Sequence, residues 1–342
     1  MMKDRRNVVL LLPDNSRRHE VWTPEAAARA EELGFNATFA PEPFRPESIR
    51  GADAVITSWG SPKFDQSWLD AADKLQVVGH AAGSVQRIVT PEFFAGGIPI
   101  VSANSVMAEC VAQWSLMMTM IAARRMITYC NFGDHRHLAW NPPLAPLGLH
   151  RLTVGIWGYG EIARYLIRML KNTGVKKILV ASRYLSVEEA ENAGVEKAAL
   201  DDVLKCSDMV HLLTSLTEKT LGRITGAMLS TLKDGASLIN TGRAHLIEKG
   251  ALMNELRSGR IFAYMDVFYD EPLPEDDELR TLPNVVLTPH NAGSGTRDLL
   301  ALTVLDDIDR KFKGLPLLHE MTQQRASAMT IEYKSLITGV PA

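Results

Sequence analysis

The sequence is poor in cysteine, in excess charge and in long apolar runs, and each shortage excludes a class of protein. Three cysteines in 342 residues, Cys110, Cys130 and Cys206, are too few and too scattered for a disulfide framework or paired zinc-ligand spacing. A reducing, cytoplasmic setting is expected. Lys and Arg total 37 against 40 Asp and Glu, a net charge of −3. That balance gives no electrostatic reason to expect nucleic acid or a membrane surface as partner. The most apolar later stretch, Trp114–Ala123, is about half the length of a membrane span and is followed by Arg124-Arg125, so it reads as a buried helix. The basic opening, Met1–Arg6, precedes the apolar Val8–Leu12, but that run is too short for a signal peptide and ends at Pro13-Asp14. A first β-strand is the better reading. There is no solenoid repeat and no low-complexity tract. His135-Arg136-His137 lacks neighbouring Cys or carboxylate ligands and reads as solvent-facing, so no metal site is expected.

What is present is apolar material in quantity: 46% of residues are hydrophobic, enough for about two domains. Short apolar runs alternate with helix-like segments at Val8–Leu12, Pro24–Leu33, Ala37–Ala40, Ala54–Thr57, Trp68–Ala72, Gln76–Val78 and Ile98–Val101. This alternation implies a parallel sheet. Ser105 is placed to cap a long helix reaching about Ile127, apolar around most of its circumference, with a domain boundary near residue 103. Met117, Met118 and Met120 on that helix read as core filler. Residues 129–150, with Asn141-Pro142-Pro143 and Pro146, read as a long loop or arm of the kind that mediates subunit contacts. A second series follows: strands at Leu152–Trp157, Ile178–Ala181, Met209–Thr214, Ser237–Asn240, Ala263–Val267 and Val285–Leu287, with helices at Ile162–Leu170 and Ile247–Leu256. That is a doubly wound dinucleotide-binding pattern. His211, inside one of these strands, reads as a satisfied structural residue.

The sharpest local signal is Gly158-Tyr159-Gly160-Glu161-Ile162-Ala163, a G-x-G-x-x-A that ends an apolar strand and opens an amphipathic helix. Gly158 permits the tight turn and Gly160 lets a pyrophosphate approach the backbone. Ala163 allows close helix–strand packing, and the N–H groups around Glu161 and Ile162 face an anion at the helix start. At the end of the next strand, where a carboxylate would accept from the ribose hydroxyls of NAD, the chain has Ser182-Arg183. A hydroxyl and a guanidinium suit the 2′-phosphate of NADP, which is therefore favoured over NAD. Alternatively, Arg183 only stacks on adenine or faces solvent.

Three further stretches, Leu238-Ile239-Asn240-Thr241-Gly242-Arg243, Met265-Asp266-Val267-Phe268-Tyr269-Asp270-Glu271-Pro272 and Pro283–His290, give the chain a resemblance, over nearly its full length, to the D-isomer-specific 2-hydroxyacid dehydrogenase family, in its glyoxylate/hydroxypyruvate reductase-like form. The resemblance implies an α/β fold of two doubly wound parallel-sheet domains, a Rossmann cofactor domain inserted into a flavodoxin-like substrate domain. Residues 1–103 would begin the substrate domain, 104–292 would form the NAD(P)-binding domain with its 129–150 arm, and 293–342 would return as helix and tail. It further implies hydride transfer at C2 of a small 2-keto or 2-hydroxy acid, with glyoxylate or hydroxypyruvate as plausible substrates, in a homodimer.

The family roles fall on Arg243, Glu271 and His290. Arg243, a permanent cation, would hold the substrate carboxylate and polarise the carbonyl. His290 would act as acid and base, because imidazole titrates near neutrality, and Glu271 would support its ring. Gly79–Ser84 resembles the loop whose backbone receives the carboxylate, with Ala82, Gly83 and Ser84 as the contacts. It departs from the common form at Ala82 and Ser84, where glycines are frequent, and at Gln86-Arg87, where Asp-Asn is frequent. Gln113 and Ser215 stand where the family often has Glu and Pro. Thr214, Ser215, Thr220, Thr241 and Gly242 match positions along the cofactor trough, and Asp266 the residue that receives the nicotinamide carboxamide. A competing reading is a dinucleotide-sensing binding protein on the same fold with little turnover.

Overall fold

The computed structural model describes residues 5–129, 145–331 and 333. The chain divides into two compact units, Met1–Met107 with Ser294–Ala342, and Ala108–Gly293.

In the first unit five strands, β1 (Arg6–Leu11), β2 (Phe35–Phe39), β3 (Ala54–Thr57), β4 (Val77–His80) and β5 (Ile100–Ser102), form a parallel sheet ordered β2-β1-β3-β4-β5. This is the flavodoxin-like order. β3 and β4 are buried throughout, as expected of strands covered on both faces. The helix Arg297–Phe312 covers one face with Leu300, Val304, Leu305 and Ile308. It lies so near β4 that a Cβ on Gly79 would stand 3.0 Å from that of Val304. Pro24–Glu32 is capped by Thr23, whose hydroxyl accepts from the Ala26 N–H, and Gln66–Ala71 by Asp65.

The second unit holds seven parallel strands: β6 (Thr153–Trp157), β7 (Lys177–Ala181), β8 (Glu196–Lys197), β9 (Met209–Leu212), β10 (Ser237–Asn240), β11 (Phe262–Met265) and β12 (Val285–Leu287). Their order, β12-β11-β10-β9-β6-β7-β8, is the Rossmann order extended by one strand. The strand order reverses between β6 and β9, which makes that crevice the topological switch point. The helix Glu161–Asn172 docks on the sheet through Leu166, Ile167 and Leu170; each such side chain contributes up to about 1.5–3 kcal/mol by burial.

Several expectations are corrected. The long helix runs Asn104–Ala123, 20 residues, so Ser105 lies inside its first turn and caps nothing. By length and composition this helix is long and apolar enough to cross a membrane. Its buried face, however, carries Ser115 and Thr119, bonded to Thr241 and His211 of its own unit. It stops short of Ile127 because Arg125 turns to φ +54° and, buried, donates to the Gly235 carbonyl at 2.7 Å. Of the three methionines only Met118 is core; Met117 and Met120 are 45% and 40% exposed. His211 is half-satisfied: its Nε2 meets Thr119 Oγ1 at 2.9 Å, while Nδ1 has no partner among the described residues. Cys130, His135, His137 and most of the 129–150 arm lie outside the described residues.

Candidate active site

Parallel strands all end on one edge, and in the second unit every residue singled out for chemistry follows a strand's C-terminal end. Gly158 follows β6, Ser182 follows β7, Thr214 follows β9, Gly242 and Arg243 follow β10, Asp266 follows β11 and His290 follows β12. This is the edge at which open α/β sheets bind ligands.

Gly158 has φ +116°, and its N–H donates to the Ala181 carbonyl at the end of β7. A Cβ there would lie 2.7 Å from the Leu213 carbonyl carbon and the Thr214 nitrogen. Gly160 opens the helix Glu161–Asn172 with no side-chain cap, and a Cβ on it would meet nothing within 4 Å. Tight packing at the first glycine and open space at the second are what a pyrophosphate cradle needs. Ser182 Oγ accepts from the Tyr184 N–H at 3.1 Å, which leaves its own proton to donate. The Arg183 guanidinium lies over the exposed Tyr184 ring, 4.6 Å from its centroid. In the trough, the Thr220 hydroxyl is engaged within its own loop, donating to Ser215 O at 2.8 Å and accepting from Thr217 N. It shapes the loop around Ser215. Thr241 is buried against Ser115. These residues fit a dinucleotide.

Asn240, buried at the end of β10, accepts from the Gly242 N–H at 3.0 Å and donates to Arg243 O at 3.0 Å. This local clamp turns the chain so that Arg243 leaves the strand end in extended conformation. The His290 Nδ1 lies 2.7 Å from Glu271 Oε2, and Glu271 Oε1 accepts from Phe268 N at 3.0 Å. Because a carboxylate only accepts, Nδ1 carries the donated proton and Nε2 is the nitrogen left for other work. Burial alone would raise the Glu271 carboxyl; the His290 and Phe268 bonds, with the charges of His290 and Arg243, outweigh it and hold Glu271 below the usual carboxylate range.

His290 sits at φ +50°, a left-handed conformation that a side chain adopts only when its surroundings hold it. Asp266 is what holds it. Almost completely buried, its carboxylate accepts from Thr288 Oγ1 at 2.6 Å and from the Asn291 and Ala292 N–H groups at 2.9 Å, gripping the loop on both sides of the histidine. The sequence reading missed Asn240, for which the turn-forming Asn-x-Gly was a signal. It also missed His245, half-buried and within the electrostatic reach of Asp270, Glu271 and Arg243, whose pKa burial lowers.

In the first unit, the loop after β4 is braced from beneath. Ser58 Oγ donates to Ala81 O at 3.1 Å, and Ser102 Oγ lies 3.1 and 2.8 Å from the carbonyls of Ala82 and Gly83. With the carbonyls so held, the N–H groups of Ala82, Gly83 and Ser84 have no hydrogen-bond partner among the described residues. His80 is buried against Thr57, its Nδ1 2.9 Å from that hydroxyl; burial pushes it down to about 4, opposed by a bond to the Ser84 backbone. Among the described residues no three His, Cys, Asp or Glu side chains converge on a metal position.

The fold and this edge define a nicotinamide-type dehydrogenase architecture. The profile of the D-isomer specific 2-hydroxyacid dehydrogenase NAD binding domain matches residues 116–292. The chain is 33% identical to the glyoxylate reductase of Korarchaeum cryptofilum over 270 residues, 77% of this chain and 80% of that one. It is 32% identical to the glyoxylate reductase of Thermococcus onnurineus over 317 residues, 88% of this chain and 90% of that one. Among solved structures, the TT0316 protein of Thermus thermophilus superposes with a TM-score of 0.70 at 26% identity, covering 92% of this chain and all of that one. The chain belongs to the D-isomer-specific 2-hydroxyacid dehydrogenase family, oxidoreductases acting on CH–OH donors.

Proposed function

We propose that the protein is a cytoplasmic, homodimeric reductase of small 2-keto acids, with glyoxylate or hydroxypyruvate as substrate and NADPH favoured over NADH. The observation that carries this reading is the 2.7 Å His290–Glu271 pair on the same sheet edge as Arg243 and a glycine loop shaped for pyrophosphate. Arg243 holds the carboxylate and draws electron density from the C2 carbonyl, and being unable to deprotonate it does so at every working pH. The nicotinamide, when bound, supplies the hydride. His290 gives the Nε2 proton to the forming alkoxide; Glu271 fixes the ring and stabilises its charged form. The unbonded N–H groups of Ala82–Ser84 are suited to a carboxylate. The first unit, with the Ser294–Ala342 return, serves as the substrate domain, and the second as the cofactor domain with Asp266 toward the carboxamide.

Cofactor choice rests on the hydroxyl and guanidinium at positions 182 and 183, where no acid repels a 2′-phosphate. A charge-assisted bond from Arg183 is worth roughly 1.5–3 kcal/mol, about one to two decades of discrimination. The test is turnover of a panel of 2-keto acids with both reduced cofactors, in the wild type, Ser182→Asp and Arg183→Ala. Tight dinucleotide binding without turnover of any keto acid would overturn the enzyme in favour of a sensor. Equal kcat/KM for the two cofactors would overturn the NADPH preference.

A further inference from the structure

The C-terminal segment after the helix Arg297–Phe312 runs directly to the loop that follows β4. Asp307, buried on that helix, accepts from the N–H groups of Leu318 (2.7 Å) and His319 (3.0 Å) and meets His319 Nδ1 at 2.7 Å, which turns the chain back toward the sheet. Residues 319–321 then lie along β5: His319 O accepts from Ser102 N at 3.0 Å, Met321 N donates to Ile100 O at 2.8 Å, and Glu320 bridges antiparallel to Val101. Beyond it, the Gln86 side-chain amide donates to Ala326 O, and Ser84 Oγ to Thr330 O at 3.4 Å. Met321 and Ala326 are buried in the same apolar cluster as Val85 and Ile88. Ser102 joins the two parts, its N–H on the tail and its hydroxyl on the Ala82 and Gly83 carbonyls.

We propose that residues 319–330 are a positioning element for the carboxylate-receiving loop, and that Gln86 is the residue through which they set its conformation. Ser84 and Gln86 are two of the positions at which this loop departs from the family's common form; in this chain both are spent on holding the tail. Gln86 touches no substrate and acts through the backbone of residues 82–84. The proposal rests on the reading of that loop as the substrate's carboxylate site, so its test has one arm that does not depend on turnover.

Hydrogen–deuterium exchange is followed over residues 81–86 in the full chain, in Gln86→Leu, which keeps the bulk and loses the donor, and in a chain ending at Met321. Exchange at the Ala81 and Gln86 amides, bonded to Thr57 O and Ser84 Oγ, is expected to accelerate at least severalfold in both variants. With glyoxylate, Gln86→Leu is expected to raise KM about fivefold, the worth of one hydrogen bond, with kcat changed less than twofold and dinucleotide affinity unchanged. Exchange and KM both at wild-type values in Gln86→Leu would overturn the proposal, whatever the truncated chain does. Faster exchange in a protein that turns over no keto acid would leave the tail's role standing and overturn the functional reading.

Discussion

Replacing Gly158 by Ala strains the dinucleotide loop at its tightest point. At φ +116° the position lies outside every well open to an L side chain, and that conformation alone costs on the order of 1–3 kcal/mol. The new Cβ would also stand 2.7 Å from the Leu213 carbonyl carbon and the Thr214 nitrogen, where carbon atoms normally rest about 3.5–4 Å apart. Those atoms are backbone, and Leu213 N–H is bonded to Trp157 O at 2.9 Å. They cannot rotate away as a side-chain tip would. The strain is relieved only by parting the glycine turn from the end of β9, which separates the phosphate cradle from Thr214 and Ser215. If binding must then restore the native spacing, about 3 kcal/mol of strain weakens dinucleotide affinity by roughly a hundredfold. Calorimetric titration with NADH and NADPH measures this, with thermal denaturation alongside. Gly160→Ala is the control for folding, since its Cβ would meet nothing within 4 Å and its φ is −90°; its melting temperature should match the wild type. A Gly158→Ala protein with dissociation constants within threefold of wild type and an unchanged melting temperature would refute the steric argument.

Arg243→Lys should cost about 2–4 kcal/mol in transition-state stabilisation while leaving dinucleotide affinity intact, because a point ammonium cannot hold carboxylate and carbonyl oxygen together; a change in kcat/KM of less than threefold would place Arg243 outside the substrate site. Glu271→Gln, which keeps the shape but loses the carboxylate that fixes the His290 ring through Nδ1, should lower kcat for keto-acid reduction by about tenfold or more with dinucleotide affinity unchanged. An unchanged kcat would remove the pair from the mechanism. Burial pushes His211 down to about 3, so the unfolded chain takes up a proton that the folded one refuses once pH drops below the ordinary histidine range. The stability this confers is complete above about pH 6.5 and is lost toward pH 3, by up to about 1.4 kcal/mol per pH unit. His211→Leu should flatten the pH dependence of urea unfolding between pH 6 and 4, and an unchanged slope would count against the buried neutral ring.

The sequence by itself determined the parts whose cause is local. Gly158-x-Gly160 dictates a turn within six residues, strands announce themselves by apolar runs, and Arg243, Glu271 and His290 each sit in a short stretch with its own pattern. Even the Asn240 clamp on Gly242 and Arg243 is complete within four residues and was legible in principle. Tertiary structure alone decided what joins residues far apart in the chain. Asp266 grips the loop around His290 across 22 to 26 residues, and Gln86 reaches Ala326 across 240; no periodicity or propensity encodes a bond between distant segments. Burial was likewise undecidable along one helix. Met117, Met118 and Met120 are chemically identical, and only the sheet beneath the helix determines that Met118 is covered while its neighbours are left exposed. The same packing left His211 with one ring nitrogen paired: Thr119 Oγ1 donates its proton to Ser115 O and so accepts from Nε2, while Nδ1 has no partner among the described residues.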